Sequence, residues 1–150
     1  MAKVPLIQSS YPVFPDRPYF FANTVGEGNA GNGLTRTIVF GTAVENRGSC
    51  YSTSTGRFTA PIGGVYHFDC LVMEETYYGN WNDWDCYFRK NGTAIAGILG
   101  DINTPQLDEQ VFSASVTVYL NTGDWVDIVL YTSGANTIEA PSYFCGHLVG

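Results

Sequence analysis

Nine residues in the second half of the chain decide most of what it can fold into. In Phe112-Ser113-Ala114-Ser115-Val116-Thr117-Val118-Tyr119-Leu120 every even position is apolar and every odd one carries a hydroxyl. Successive side chains of an extended strand point to opposite faces, so a strict period of two describes a half-buried strand. Asn121-Thr122-Gly123-Asp124 then supplies a turn, and Val126, Ile128 and Leu130 resume the alternation. Tyr66, Phe68, Cys70 and Val72 form another inward set, Trp84, Cys86 and Phe88 a third, and Phe144, Gly146 and Leu148 a fourth. Asn91-Gly92 is a strong hairpin signal, because both residues tolerate positive φ. It also explains the glycosylation-like triplet Asn91-Gly92-Thr93 without a sugar. No segment has a helical period, a collagen triplet or an internal repeat. Many short strands at this spacing predict an all-β antiparallel sandwich or barrel.

A chain of 150 residues can remove roughly 70% of its unfolded surface from water, enough for one core. The 17 Gly and 7 Pro are unevenly placed. Pro5, Pro12, Pro15 and Pro18 fall among Val4, Leu6, Ile7, Val13 and Phe14. Proline at that density blocks helix and central strand alike, while the apolar content is wrong for a solvated linker. Residues 1–18 therefore read as an extended docking arm, with Val4, Leu6, Ile7, Val13 and Phe14 as its contacts, and 19–150 as the domain. Gly26 to Gly33 contains the glycine spacing of a dinucleotide turn. No helix follows to receive a phosphate, so it reads as a flexible loop.

Net charge is −7, and only Lys3 and Lys90 are lysines. The arginines are scattered, which argues against nucleic acid and anionic membrane, since both need a clustered basic face. No apolar run approaches the ~20 residues that span a bilayer, so membrane insertion is not expected. Nor does the N-terminus carry the apolar stretch of a signal peptide. The expectation is a chain made without a leader or read after its removal. Cys50, Cys70, Cys86 and Cys145 include no Cys-x-x-Cys pair and are too few for a disulfide scaffold. They read as buried small hydrophobes.

Four blocks of this sequence, in order and at fitting spacing over about residues 19–150, resemble the globular head of complement C1q. Tyr51 and Thr55-Gly56-Arg57-Phe58-Thr59-Ala60-Pro61, followed by Gly64-Val65-Tyr66-His67-Phe68, are similar to the family signature. Phe88-Arg89-Lys90-Asn91-Gly92 resembles its hairpin, and Ser113 to Asp127 its serine-rich strand and following turn. Ser142-Tyr143-Phe144-Cys145-Gly146-His147-Leu148 resembles its terminal strand. The resemblance implies a ten-strand jelly roll of two sheets, shared with tumour necrosis factor and assembled as a homotrimer. Two features depart from the family: residues 1–18 hold no triplets of the collagen stalk expected before such a head, and residues 77–84 are unusually aromatic.

The resemblance also suggests sites. Relatives bind calcium through the loop before the serine-rich strand, which points here to Asp101, Asp108 and Glu109, hard oxygens of the kind calcium prefers; solvated acids are the plainer reading. No other cofactor is expected. Tyr77, Tyr78, Trp81 and Trp84 offer contact area with few rotors to freeze, suited to a host-surface glycan or protein, or else to covering the sandwich edge. Parity sends His67, Cys145 and His147 outward, on strands that in the family face the trimer axis. They suit zinc, or ordinary interface packing. Enzymatic readings are poor: the two histidines lie within strands, and a sugar-cleaving pair would have to come from Asp83, Asp85 and Asp101. The expected function is non-enzymatic: a structural or adhesive knob of a virus or phage particle, docked to a platform protein by its arm, on the virion surface or outside cells. The alternatives are a secreted C1q-like recognition protein and, behind it, a glycan-cleaving spike enzyme.

Overall fold

The computed structural model describes residues 17–24, 27–30, 34–76, 83–101, 109–132 and 136–150. All regular structure among them is strand: β1 (Tyr19–Asn23), β2 (Glu27–Ala30), β3 (Leu34–Thr37), β4 (Thr42–Arg47), β5 (Tyr51–Ser52), β6 (Arg57–Thr59), β7 (Gly64–Thr76), β8 (Asp83–Lys90), β9 (Thr93–Asp101), β10 (Glu109–Leu120), β11 (Trp125–Thr132) and β12 (Asn136–Leu148). They form two antiparallel sheets. The first runs β10-β7-β12-β1-β4, with β2 also on β12; the second runs β5-β6-β11-β8-β9, with β3 also on β11. The turn at Asn121–Asp124 carries the chain from β10 in one sheet to β11 in the other.

The expected parity holds in both layers. Tyr66, Phe68, Cys70 and Val72 on β7, Phe112 and Leu120 on β10, Phe144 on β12, Cys86 and Phe88 on β8, and Val126, Ile128 and Leu130 on β11 are all buried. Phe20 stands at the centre of an aromatic cluster. Its ring stacks on Tyr51 with centroids 4.8 Å apart and meets Phe144 edge-on at 4.8 Å. Burying each such ring stabilises the fold by about 2–3 kcal/mol. Gly146 lets this cluster close, because a Cβ there would lie 2.3 Å from Phe68 Cδ1. Asn91 and Gly92 turn between β8 and β9 with φ of 48° and 89°, both positive as a two-residue hairpin requires. The Asn91 side chain donates to Asp124 Oδ1 at 2.8 Å. That bond, the Asn121 N–H and then Lys90 hold the Asp124 carboxyl down at about 2.

One expectation needs correcting. Among the twelve strand segments of the described residues, one lies in the glycine-rich stretch read as a flexible loop. Glu27–Ala30 is β2, paired through Glu27 with Ile138 and through Ala30 with Asn136. Strand β12 is thirteen residues long. Its early half offers backbone partners that outweigh the weak strand preference of glycine and asparagine. All four cysteines are free, and all but the half-buried Cys145 are buried. Of the proposed arm, Arg17 and Pro18 are described. Pro18 is buried and accepts the Leu148 N–H at 3.1 Å, and Arg17 donates to Val149 O. The arm contacts Val4, Leu6, Ile7, Val13 and Phe14 lie outside the described residues.

Candidate functional site

Three surfaces of the sandwich could serve recognition. The outward face of the first sheet is apolar at both ends and polar across its middle. Tyr119 lies opposite Val65, and Val149 bonds to the Val65 backbone. At the other end Phe21 stacks on Tyr143 with centroids 5.5 Å apart, near Leu71, Met73 and Val111. Tyr119 and Val111 are each 57% exposed, and Phe21 and Val149 are exposed as well.

Between them runs the belt that contains the proposed metal ligands. His67 pairs directly with His147, and Cys145 with Asp69. The two imidazole centroids are 5.8 Å apart. His67 Nδ1 contacts Thr117 Oγ1 at 2.8 Å, and its Nε2 lies 3.2 Å from Asp69 Oδ2. The outward placement of His67, Cys145 and His147 is therefore as parity requires. Among the described residues, however, no three His, Cys, Asp or Glu side chains gather closely enough to hold a metal. Burial, with Asp69 beside it, pushes the Cys145 thiol up, away from the thiolate that zinc needs.

The second surface is the end of the sandwich where Thr76, Asp83, Asp101, Glu109, Thr132 and Asn136 gather. Register ties them together: Asn136 to Thr76, Glu109 to Glu75, Asp83 to Asp101 and Thr132 to Trp84. The described ends that flank the proposed aromatic and acidic segments therefore lie at one end of the sandwich. Trp84 sits on β8, Asp101 ends β9 and Glu109 begins β10; Tyr77, Tyr78, Trp81 and Asp108 lie outside the described residues. Inside this end are two residues that the motif reading passed over. Glu74, 3% exposed, faces the interior opposite Gln110. Neither carboxylate oxygen of Glu74 has a hydrogen-bond partner among the described residues, and the Gln110 Oε1 has none either. Val72, Phe112 and Leu130 close around them, leaving no room for a water molecule. Desolvation raises the Glu74 carboxyl to about 7. The clue was available in the sequence, because Glu74 and Gln110 continue the even, inward parity of their strands by one step.

The third surface is the outer face of the second sheet. There Asp127, in the middle of β11, has Arg57 of β6 on one side and Arg89 of β8 on the other. Both guanidinium groups lie over the Trp125 ring, at 4.0 and 5.5 Å from its centroid. Hydrogen bonding to Asp127 raises the Arg89 pKa further. This row of charges was not foreseen: its three members are far apart in the chain, and only strand order brings them together.

The C1q domain model matches residues 20–149. The chain belongs to the C1q domain family. As a C1q domain it superposes on the globular domain of zebrafish complement 1qA with a TM-score of 0.65 and 16% identity, covering 89% of this chain and 98% of that one. Eiger TNF from S. frugiperda gives 0.60 at 11% identity, covering 89% and 92%. Murine APRIL gives 0.60 at 9%, covering 87% and 99%. No curated protein matches in sequence. At these identities the likeness to solved structures speaks for the jelly roll alone; membership of the family rests on the matched domain.

Proposed function

We propose that this C1q domain is a non-catalytic recognition module that works as a homotrimer, with the outward face of the first sheet as the subunit contact. The observation that carries this reading is the pair of apolar patches on that face, Tyr119 with Val65 and Val149, and Phe21 with Tyr143 and Leu71. Exposed apolar area gathered on one face marks an interaction surface. The polar belt between the patches suits an interface core whose hydrogen bonds fix the register. The finer proposal is an exposed knob of a virus or phage particle, docked by residues 1–18, whose prolines and apolar side chains suit an extended contact. A calcium ion on Asp101, Asp108 and Glu109 belongs to the same proposal; an all-oxygen donor set is chemically right for it.

Sedimentation equilibrium tests the assembly. At micromolar concentration the protein should run at three times its 16.4 kDa chain mass, and Tyr119→Glu should shift it toward monomer. A wild-type monomer under those conditions overturns the reading. Removal of residues 1–16, which spares the Pro18 and Arg17 contacts with the last strand, should leave the trimer intact and abolish co-sedimentation with the particle; retained binding would remove the docking role.

A further inference from the structure

Beyond Val72 and Phe112 the inward side of β7 and β10 turns polar. Glu74 and Gln110 stand directly opposite each other, and both are buried. Three oxygens of this rung have no hydrogen-bond partner among the described residues: both of Glu74 and the Oε1 of Gln110. An ionised carboxylate only accepts hydrogen bonds, and so does an amide oxygen. Two sets of acceptors thus face each other with no hydrogen between them. A protonated carboxyl supplies that hydrogen, because its O–H donates.

The surroundings favour a proton over a cation. Val72, Phe112 and Leu130 enclose the site, and no space is left for a water molecule. Calcium takes about six to eight oxygens, and this rung offers three. Nor is any charge of the described residues paired with Glu74. On β12 its partner is Ile138, which pairs in turn with Glu27 of β2, while Glu139 pairs with Met73. Glu75 and Glu109 form the next rung of the β7–β10 ladder. From the other sheet come Leu130 and the Cys86 thiol, which burial keeps neutral. Arg36 of β3 pairs with Leu130, and neither Glu74 oxygen is bonded to it. Burial alone therefore raises the Glu74 carboxyl to about 7.

We propose that Glu74 and Gln110 form a latch held by one proton: the Glu74 carboxyl donates to Gln110 Oε1, and loss of that proton parts the ends of β7 and β10. The rung lies one step from the end of the ladder, and β7 stops at Thr76. An ionised Glu74 finds neither donor nor water inside, so it reaches solvent only when these last rungs separate. Once exposed it titrates near its ordinary 4.5. Rising pH therefore favours the open form from about pH 4.5, and the effect levels off above about 7. The latch lies within one chain and goes beyond the recognition role, since it operates in monomer and trimer alike.

The test is NMR of the full chain with 13C-labelled glutamate and glutamine. The Glu74 carboxyl, identified by its loss in Glu74→Gln, should titrate near pH 7, and the Gln110 side-chain carbonyl should shift with it. Amide-exchange protection at residues 73–75, corrected for intrinsic rate, should fall at least about tenfold from pH 5 to pH 8. Protection at residues 67–69 should hold. Glu74→Gln places a permanent donor opposite Oε1 and should keep the acid-state protection throughout. Titration of Glu74 in the ordinary carboxyl range overturns the proposal, as does a Gln110 carbonyl indifferent to pH. Unchanged protection at pH 8 also overturns it, since Gln110 would then be turning its amide nitrogen to the carboxylate. So does a calcium-induced shift of the Glu74 carboxyl that survives Asp101→Asn, because the oxygens would then hold a cation.

Discussion

The two ends of the sandwich interior are built on opposite terms. Around Phe20 the rings of Tyr51, Phe58, Phe68 and Phe144 meet at centroid distances of 4.8 to 6.4 Å. Their only polar group in the interior is satisfied twice, since the Tyr51 hydroxyl donates to Phe40 O and accepts from Phe40 N–H, both at 3.2 Å. At the other end Glu74 and Gln110 bury oxygens that no described residue satisfies. Thr24, also buried, has no partner for its hydroxyl among the described residues either. One end is built for stability, whereas the other carries an electrostatic cost, and such unequal terms make local stability differ across one fold.

The aromatic end should carry the larger share of the stability. Phe144→Ala removes a fully buried ring that touches Phe20, Phe40, Tyr51, Phe68 and Phe88. It should cost about 4 kcal/mol in urea unfolding; a loss below about 1 kcal/mol would mean that this end does not carry the fold.

The polar end is sharpened by pH. A carboxyl raised by burial from its ordinary value of 4.5 to about 7 in the folded state holds its proton better folded than unfolded. Its contribution therefore favours folding below pH 4.5 and is lost progressively as the pH rises through about 7. The described titratable group coupled to it is the Cys86 thiol, pushed upward by burial and thus neutral over that range. Glu74→Gln should therefore match wild type near pH 4 and exceed it by about 3 kcal/mol at pH 9. A difference that does not vary with pH would show that Glu74 ionises without penalty.

The smallest effect concerns the one polar group within the aromatic end. Tyr51→Phe keeps the stack on Phe20 and strips both partners from the buried Phe40 backbone, for about 1–2 kcal/mol. A neutral result would mean that the hydroxyl is dispensable there and that only ring packing distinguishes the two ends.

Strand parity and turn chemistry were legible because they are local. The alternation at 112–120 and the turns at Asn91-Gly92 and Gly123 depend on neighbours within a few residues, and the structure has them as expected. The family blocks supplied the strand order that parity alone lacks. What escaped was pairing at a distance. Glu27–Ala30 becomes strand only because β12 runs on beside it, and Arg57, Asp127 and Arg89 meet only once β6, β11 and β8 are neighbours. Glu74 and Gln110 are a different failure: their parity placed them inside, but the alternation was not followed past Val72 and Phe112 to the polar residues that continue it.

Strand order in the first sheet also governs when the protein can fold. No two hydrogen-bonded neighbours there are consecutive in the chain, whereas the second sheet contains the hairpins β5-β6 and β8-β9. A growing chain can close those hairpins early, but the β7-β10 and β1-β4 pairs of the first sheet can be joined only by β12, which follows them all in the sequence. Until then β1 and β7 have no common partner, and Phe20 and Phe68 remain without the strand that will cover them. Loop closures of this length are slow, and open strand edges aggregate in the interval. Chains truncated before Asn136 should therefore collect as insoluble material rather than as partly folded heads.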